Sequence, residues 1–321
     1  MSRIEPPRIE TLLVVGCGAI GGLYAAALSD AARVVAFDLD AAHVAAIRRD
    51  GLRITGVTEH TARIEAHSDP AELDGLRADA VLFLVKSAAT GPALRAVAGA
   101  LTRQPLLVTL QNGMGNSEAL AASGLPVARG VTMAAARALG PGRVEHLIAG
   151  PTSIGPVQGT LDDVRPFADL LAAGGIEVAL VSEPMDAVWT KFVFNSVMNP
   201  IGALVLGVNA ARYEVPEVRD LIDAMAAECV AVVEALGGHL AGDPLAPVRK
   251  IRSGAVPISR HAGSMALDMA RGVPTEIDEL TGYVVREGAR LGIPVPICRT
   301  VYGLVKGMEL ARARGAAYGQ G

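Results

Sequence analysis

Three polar side chains stand four residues apart in an otherwise apolar segment of the chain. Lys191, Asn195 and Asn199 occur in the stretch KFVFNSVMN, and a helix would place residues at this spacing on one face. Because Asn199 precedes Pro200, helical geometry is disfavoured there, and we expect a kink at this third position. The face offers one cation and one or two amides. It could hold a ligand, or it could form a polar seam between domains whose groups bond to backbone, since buried polar groups need partners in either case.

A glycine-rich turn is the second set of residues that could do chemistry. Gly16, Gly18 and Gly21 form a GxGxxG motif after a β-rich run and at the predicted start of a helix. Such glycines permit a tight turn and let a pyrophosphate approach the backbone, while the helix N-terminus offers N–H groups to the anion. The motif therefore predicts a dinucleotide site. The alternative is a packing turn that binds no ligand.

An acidic residue ends the second predicted strand. Asp38 follows Gly16 by 22 positions, about where a carboxylate meets the adenosine ribose hydroxyls. A carboxylate there would repel the 2′-phosphate of NADP, and Arg48 and Arg49 come a whole helix later, so we expect NAD rather than NADP. The alternative role is helix capping, which we expect from either Asp38 or Asp40.

Two more polar residues follow predicted strands. Lys86 closes the run AVLFLVK, and Asn112 follows the run LLVTL in the sequence Gln-Asn-Gly. The carboxyl ends of strands form the ligand crevice in open α/β sheets, so both residues are placed where a cofactor and a substrate could meet. The alternatives are a solvated lysine and an Asn-Gly turn.

The elements that must position these residues change type halfway along the chain. Short apolar runs alternate with helix-like segments in the first half, which favours buried, mostly parallel strands. The runs are TLLVV, RVVAFD, AVLFLV, PLLVTL and a last one at residues 176–181. We predict an α/β fold in which residues 1–183 form a Rossmann-type, doubly wound dinucleotide-binding domain.

The second half is helix-prone, and we predict an all-α substrate-binding and catalytic domain for residues 184–321. Helices are expected over residues 184–199, 218–236, 264–271, 276–291 and 299–314. The first of these follows the nucleotide domain directly, so it could line a crevice between the domains. Glu276 has a structural alternative: Thr275 could cap the fourth helix with Asp278 as its capping-box partner, and Glu276 would then be an ordinary acid of the first helical turn.

Composition excludes several functional classes. The 321 residues are 51% hydrophobic, enough to bury a large core in about two domains. The net charge of −4 comes without a basic stripe, so nucleic acid is not an expected partner. Three scattered cysteines, Cys17, Cys229 and Cys298, indicate neither a disulfide framework nor a metal site, and a reducing cytoplasm is the expected location.

Neither export nor membrane insertion is expected. The first ten residues, MSRIEPPRIE, lack the apolar run of a secretion signal. Residues 11–29 and 192–211 are uncharged and long enough to span a bilayer. However, the first stretch holds four glycines, and the second carries three asparagines and a proline, and isolated polar groups in lipid are costly.

Together these motifs resemble the ketopantoate reductase (2-dehydropantoate 2-reductase) family over nearly the whole chain. No single motif is decisive, but six in the right order are highly specific. In chain order they are GCGAIG at Gly16, VKS at Lys86, LQNGMG at Leu110, KFVFNSVMNP at Lys191, SM…D at Ser264 and PTEID at Pro274.

The resemblance implies an NAD(P)H-dependent oxidoreductase of 2-oxo acids, with ketopantoate preferred and pantothenate biosynthesis as its pathway. The turn from Gly16 to Gly21, including Cys17, Ala19 and Ile20, would hold the pyrophosphate. Lys86 and Asn112 would reach the nicotinamide side. Family habit favours NADP, whereas Asp38 favours NAD.

The resemblance also implies catalytic roles in the second half. Lys191 would be the general acid that protonates the carbonyl oxygen, and Glu276 would orient the nascent hydroxyl and approach the cofactor. The implied substrate ligands are Asn112, Asn195, Asn199 and Ser264. Physical chemistry agrees, because hydride delivery leaves negative charge on oxygen and a closed apolar crevice would lower the pKa of the lysine toward neutrality.

Three departures from the family pattern concern ligand identity. Asp38 stands where relatives carry a phosphate partner, Arg260 and His261 replace a polar Asn/Ser-rich stretch, and Leu267 stands where glutamine is common. Two alternatives follow: an NAD-dependent D-2-hydroxyacid dehydrogenase acting on branched or aromatic 2-oxo acids, and a non-catalytic NAD(P)-sensing protein. A homodimer through the helical domain is a further expectation, based on its many apolar helices.

Overall fold

The computed structural model describes residues 8–101, 104–258 and 262–315. Its internal contacts divide the chain into two compact units. The first unit comprises Met1–Gln111 and Gly115–Pro184, and the second comprises Asn112–Met114 and Met185–Gly321.

The first unit contains twelve strands and five α-helices within the described ranges. The strands are β1 (Thr11–Val15), β2 (Arg33–Phe37), β3 (Leu52–Gly56), β4 (His60–Ala62), β5 (Glu65–His67), β6 (Ala80–Phe83), β7 (Leu106–Thr109), β8 (Val127–Thr132), β9 (Ala135–Gly140), β10 (Arg143–Ile148), β11 (Thr152–Gln158) and β12 (Val178–Leu180). The helices are α1 (Ala19–Leu28), α2 (Ala41–Asp50), α3 (Thr90–Ala96), α4 (Asn116–Ala121) and α5 (Leu161–Ala173).

An eight-stranded sheet forms the centre of this unit. Its strand order is β12-β11-β8-β7-β6-β1-β2-β5, and its pairings are parallel except for the antiparallel pair of β8 and β11. The side chains of β1 alternate between two buried clusters: Leu12 and Val14 enter one, and Leu13 and Val15 enter the other. Burial on both faces explains why the strand reads as an unbroken apolar run. The predicted α/β class is confirmed.

A second, four-stranded sheet was not predicted. Its order is β4-β3-β10-β9, and it packs on α1 through Leu52, Ile54 and Val144, which join the same core cluster as Leu12. Its strands are short or alternate polar and apolar residues, with burial on one face only. Such strands carry a weaker sequence signal than the buried parallel ones.

All secondary-structure elements among the described residues of the second unit are helices. Its helices are α6 (Pro184–Leu204), α7 (Asn209–Glu214), α8 (Pro216–Ala235), α9 (Ala246–Arg252), α10 (Ser264–Arg271), α11 (Thr281–Leu291) and α12 (Pro296–Ala313). The prediction for α10 is correct, and those for α8 and α12 are correct to within a few residues. The short helices α7 and α9 were not predicted.

Helix α6 runs through Pro200 to Leu204, so the expected end at Asn199 is wrong. A proline inside a helix leaves the carbonyl four residues earlier without its N–H donor. That carbonyl belongs to Ser196, and it accepts a 2.7 Å hydrogen bond from the hydroxyl of Thr281, the first residue of α11. The tertiary contact supplies the missing donor, which helps the helix continue.

The two long uncharged stretches of the sequence are parts of this fold. Residues 11–29 form strand, turn and helix, and residues 192–211 form the end of α6, a turn and the start of α7. Across the described ranges, no helix combines the length and the hydropathy needed to cross a bilayer.

Candidate active site

The glycine turn between β1 and α1 is forced by close backbone packing. Gly16 has φ +88°, and its N–H donates to the carbonyl of Phe37 at the end of β2 at 2.8 Å. A Cβ on Gly21 would lie 1.8 Å from the carbonyl oxygen of Gly16, so no side chain fits there. Gly18 differs, because a Cβ on it would meet no atom within 4 Å.

The start of α1 is open to an anion. Gly18 is the exposed N-cap residue and offers no side-chain cap, and the first turn of α1 has no acidic residue. The N-terminal N–H groups of a helix attract negative charge. Turn and helix together fit the pyrophosphate of a dinucleotide.

Asp38 braces this turn with both carboxylate oxygens. Its Oδ2 accepts from the N–H of Cys17 at 2.8 Å, and its Oδ1 accepts from the N–H of Asp40 at 3.0 Å. Asp40, not Asp38, caps α2, because its side chain accepts from the N–H groups of Ala42 and His43. The carboxylate of Asp38 is therefore fixed beside the glycine turn, with lone pairs left for further donors.

Cys17 contributes backbone groups to the turn. Its carbonyl accepts from Nε2 of His43 at 2.9 Å, with Nδ1 of that ring accepting from the N–H of Gly142. Burial, and secondarily the negative charge of Asp38, raises the pKa of the Cys17 thiol to about 12. The thiol stays protonated at neutral pH and supplies no nucleophile.

The polar residues after β6 and β7 are held by a buried amide that the sequence reading did not single out. Lys86 is exposed and opens the 3₁₀ turn Ser87–Ala89 after β6. Gln111, which follows β7, donates from its Nε2 to the carbonyl of Val85 at 2.6 Å and to the hydroxyl of Thr90 at 2.9 Å. The sequence does place Gln111 between a buried strand and the Asn-Gly pair, and that position could have identified it as a structural polar residue.

In the second unit, α6 presents the predicted polar face. Lys191, Asn195 and Asn199 are successive turns of one helix, with Asn195 buried and the other two partly buried. Nδ2 of Asn195 donates to Oδ1 of Asn112 at 3.1 Å. Asn112 belongs to this unit although it follows β7 in the chain, so the structure brings Asn112 and Asn195 together.

Glu276 lies in a turn before α11 rather than in the first turn of a helix. The expected start of the fourth helix at residue 276 is wrong, because α11 begins only at Thr281, and the alternative of a capping box between Thr275 and Asp278 fails with it. Oε1 of Glu309 accepts from both the N–H and the hydroxyl of Thr275, at 2.9 and 2.8 Å.

Asp278 is held from α12 in the same way. Its carboxylate accepts from the hydroxyl of Tyr302 at 2.7 Å and from Nζ of Lys306 at 2.9 Å. Glu276 therefore sits between two residues that α12 anchors. Contacts with a helix distant in sequence therefore hold this turn, together with a local bond from the N–H of Ile277 to the hydroxyl of Thr275 at 3.2 Å.

Lys191 and Glu276 are electrostatically coupled within this unit. Burial lowers the pKa of Lys191 to about 8, and the negative charge of Glu276 opposes that shift. An ammonium with such a pKa is charged at neutral pH and releases its proton more readily than a solvated lysine.

The two remaining predicted substrate ligands, Ser264 and Asn199, are not tied to the other candidate residues by a described hydrogen bond. Ser264 is exposed as the first residue of α10, and Asn199 is partly buried on α6. Within the described residues neither side chain makes a hydrogen bond, so both can serve a ligand.

Arg260 and His261, just before α10, lie outside the described residues. Among the described residues, no group of three or more His, Cys, Asp and Glu side chains could hold a metal ion.

Comparison with protein families gives one consistent match. The family described as ketopantoate reductase PanE/ApbA matches residues 12–159, and its C-terminal domain matches residues 183–309. A 2-dehydropantoate 2-reductase of Halobacterium salinarum is 33% identical over 303 residues, which cover 92% of this chain and 97% of that relative.

Solved structures extend the likeness to three dimensions. A PanE/ApbA family ketopantoate reductase from Ralstonia eutropha superposes with a TM-score of 0.83 at 33% identity, covering 94% of this chain and 99% of that one. A D-mandelate dehydrogenase solved with NADH and anilino(oxo)acetate gives 0.86 at 21% identity, with the same coverage. At that lower identity the likeness concerns the fold alone.

Proposed function

This chain belongs to the ketopantoate reductase family, and we propose from that premise that it reduces a 2-oxo acid, 2-dehydropantoate first, to the 2-hydroxy acid. The observation that carries the proposal is the pairing of Lys191, whose pKa is about 8, with Glu276 in the unit that also presents Asn195 and Asn199. A nicotinamide cofactor, when bound, supplies the hydride.

Lys191 acts as the general acid in this proposal. Hydride addition at the carbonyl carbon leaves negative charge on oxygen, and an adjacent ammonium both stabilises that charge and delivers the proton. Glu276 keeps the ammonium protonated and accepts a hydrogen bond from the new hydroxyl. Asn112, Asn195, Asn199 and Ser264 bind the carboxylate and hydroxyl groups of the substrate.

The two units divide the work. We assign the cofactor to residues 1–183, where Gly16, Gly18 and Gly21 fit a pyrophosphate. Ala19 and Ile20 would be backbone donors, Cys17 would hold the turn against Asp38, and Lys86 would face the nicotinamide. We assign substrate binding and proton transfer to residues 184–321 together with Asn112, and Glu276 serves both ligands.

We propose NAD as the preferred cofactor. The Asp38 carboxylate is fixed beside the glycine turn, where it would repel a 2′-phosphate. The arginines that end α2 are engaged elsewhere: Arg48 bonds to Glu72, and Arg49 bonds to Asp50. The same carboxylate favours a second candidate function, an NAD-dependent D-2-hydroxyacid dehydrogenase that accepts branched or aromatic side chains.

An assay across cofactors and substrates tests function and cofactor together. Purified protein is given NADH or NADPH with 2-dehydropantoate, 2-oxoisovalerate or phenylglyoxylate, and kcat/KM is measured for each pair. We expect turnover with NADH highest on 2-dehydropantoate, whereas a preference for phenylglyoxylate selects the second candidate. Tight NADH binding without reduction of any acid would instead identify a non-catalytic sensor.

Substitution of Asp38 tests the cofactor preference separately. Asp38→Asn removes the charge but keeps one oxygen acceptor, so the ratio of NADH to NADPH efficiency should fall by about 10- to 100-fold, the range for one charge-assisted contact. Asp30→Asn, an exposed aspartate of the same unit, is the matched control and should leave the ratio unchanged. A wild-type preference for NADPH that survives Asp38→Asn contradicts the assignment.

The acid assignment is tested at Lys191. Lys191→Ala should lower kcat by about 10²- to 10⁴-fold with the KM for the cofactor retained, as expected for one general acid. Lys250→Ala, which removes an exposed lysine of α9, is the control and should be silent. Undiminished turnover in Lys191→Ala moves the acid to another residue.

We further propose a cytoplasmic homodimer associated through the helical domain. Light scattering after size exclusion measures the mass directly. A mass of 33.0 kDa at micromolar concentration would be that of the single chain and would exclude the dimer.

A further inference from the structure

Arg212 on α7 is a buried cation with no described carboxylate beside it. Its exposed fraction is 6%, and no ion pair joins it to any described acidic residue. Nη1 donates to the carbonyl of Met198 at 3.3 Å, Nη2 donates to the carbonyl of Ala262 at 3.4 Å, and Nε has no described partner. The guanidinium is thus held by two long bonds to neutral acceptors.

The position of this guanidinium relates it to the substrate residues. Met198 precedes Asn199 on α6, and Ala262 lies two residues before Ser264. Gly202 makes room for the charge, because a Cβ there would lie 2.9 Å from Nη1. Arg212 therefore bridges α6, which carries Asn199, and the segment that leads into α10, whose first residue is Ser264.

Gly202 also places the cation relative to the polar face of α6. It follows Lys191 by eleven residues, and steps of four, four and three residues keep to one side of a helix. Arg212 thus lies at the C-terminal end of the face whose N-terminal end is Lys191.

A neutral side chain would join two carbonyls at lower cost. Burying a guanidinium without a counter-ion is unfavourable, since carbonyl dipoles replace its hydration only in part. Burial indeed lowers the pKa of Arg212, although an arginine remains charged at any physiological pH. An anionic ligand bound nearby would supply the negative charge that this buried cation lacks.

We propose that Arg212 makes the second unit selective for anionic substrates: its buried charge, held between α6 and α10, compensates the carboxylate of the bound 2-oxo acid. This inference rests on the proposed function and deepens it. It assigns recognition of the substrate charge to a residue outside the Lys191–Glu276 pair. Arg212 acts through the field at the site and through the placement of Asn199 and Ser264, so it is a positioning and specificity residue.

The test compares acids with nearly isosteric neutral amides. The kcat/KM of the wild type is measured for 2-oxoisovalerate and its amide, and for phenylglyoxylate and its amide, at saturating NADH. We expect the wild type to prefer each acid. Arg212→Gln should reduce the acid-over-amide ratio by about 10- to 100-fold, the worth of one charge-assisted interaction, mainly through the KM for the acid.

Two further variants separate charge from shape. Arg212→Lys keeps the charge but not the planar fork, so it should keep most of the preference for acids even where overall activity falls. Arg299→Gln, at an exposed arginine of α12, should change nothing. If Arg212→Gln lowers acid and amide equally, the residue is only a structural clamp and the proposal is overturned.

The outcomes also distinguish this inference from the function on which it rests. A wild type that reduces none of the acids defeats the proposed function, and the inference with it. A wild type that reduces amides as efficiently as acids defeats the inference alone. That second comparison uses only the wild-type protein, so it does not depend on whether a variant folds.

Discussion

At the level of single residues, the chemistry proposed here depends on how burial changes an ordinary lysine. In solvent an ammonium holds its proton near pH 10.5, too tightly for efficient transfer at neutral pH. In the fold, removal of water lowers the pKa to about 8, and the carboxylate of Glu276 limits the fall. The residue type comes from the sequence, but its acidity comes from the surroundings.

A pH profile of carbonyl reduction follows from that value. Reduction requires protonated Lys191, so kcat/KM should fall about tenfold per pH unit above pH 8. The measurement is a steady-state profile from pH 6 to 10 with the acid substrate and NADH. The residual kcat/KM of Lys191→Ala should not show this fall above pH 8. A wild-type kcat/KM that stays constant up to pH 10 would contradict the role of Lys191 as general acid.

The same shift has a consequence for stability. Because the folded pKa lies below 10.5, the unfolded chain binds more protons between about pH 8 and 10.5. The burial of Lys191 therefore lowers the free energy of unfolding most below pH 8, and this destabilisation decreases as the pH rises to 10.5. A functional group maintained against stability is common at sites of chemistry.

At the level of elements, two backbone arrangements position the candidate site. The first is the glycine turn, where α1 packs so closely on the end of β1 that position 21 tolerates no Cβ. The second is α6, whose continuation through Pro200 uses a hydroxyl from α11. Each depends on a contact between elements, and each can be tested by one substitution.

Gly21→Ala should disrupt the turn. The added methyl would lie 1.8 Å from the carbonyl of Gly16, so we expect a loss of about 1–3 kcal/mol or more in unfolding free energy, together with weaker NADH binding. Urea denaturation and fluorescence titration measure the two effects. Gly307→Ala, at an exposed helical glycine with no neighbour within 4 Å, should instead stabilise by about 0.5–1 kcal/mol.

Thr281→Val should destabilise α6 from a distance. It removes the hydroxyl that bonds the buried Ser196 carbonyl, and an unsatisfied buried acceptor costs about 1–3 kcal/mol. Thr300→Val, which changes an exposed threonine of α12, is the matched control. Equal denaturation midpoints for the two variants would show that the bond to Ser196 has no net effect on stability.

At the level of the whole molecule, the chain is built as two compact units with different contents. The glycine turn and Asp38 belong to the first, whereas Lys191, Asn195 and Glu276 belong to the second. If the division of labour proposed above is right, each ligand should order a different part of the chain.

Hydrogen exchange can test that division. NADH alone should slow amide exchange in the segments around residues 16–21 and 36–40, and pantoate added with cofactor should slow it around residues 191–199 and 264–276. Exchange read by mass spectrometry on peptic fragments gives both patterns from one preparation. Protection of residues 16–21 by pantoate alone, without cofactor, argues against the assignment.

The sequence alone determined the features that depend on local periodicity and backbone sterics. The alternation of apolar runs with helical segments predicted the α/β class, which is confirmed, and the combined motifs predicted the family, which the comparisons also confirm. Spacing alone put Lys191, Asn195 and Asn199 on one face of a helix, and the glycine pattern predicted the turn. These signals are strong because few conformations satisfy them.

Only the tertiary structure decided what depends on residues far apart in the chain. The pKa of Lys191, the anchoring of the Glu276 turn by α12, the bond from Thr281 that carries α6 past Pro200, and the buried charge of Arg212 have no local signature. The small second sheet was missed for a different reason: its strands are short or buried on one face only, which leaves a weak local signal. Burial and long-range pairing arise only when distant segments meet, and no pattern within one segment encodes them.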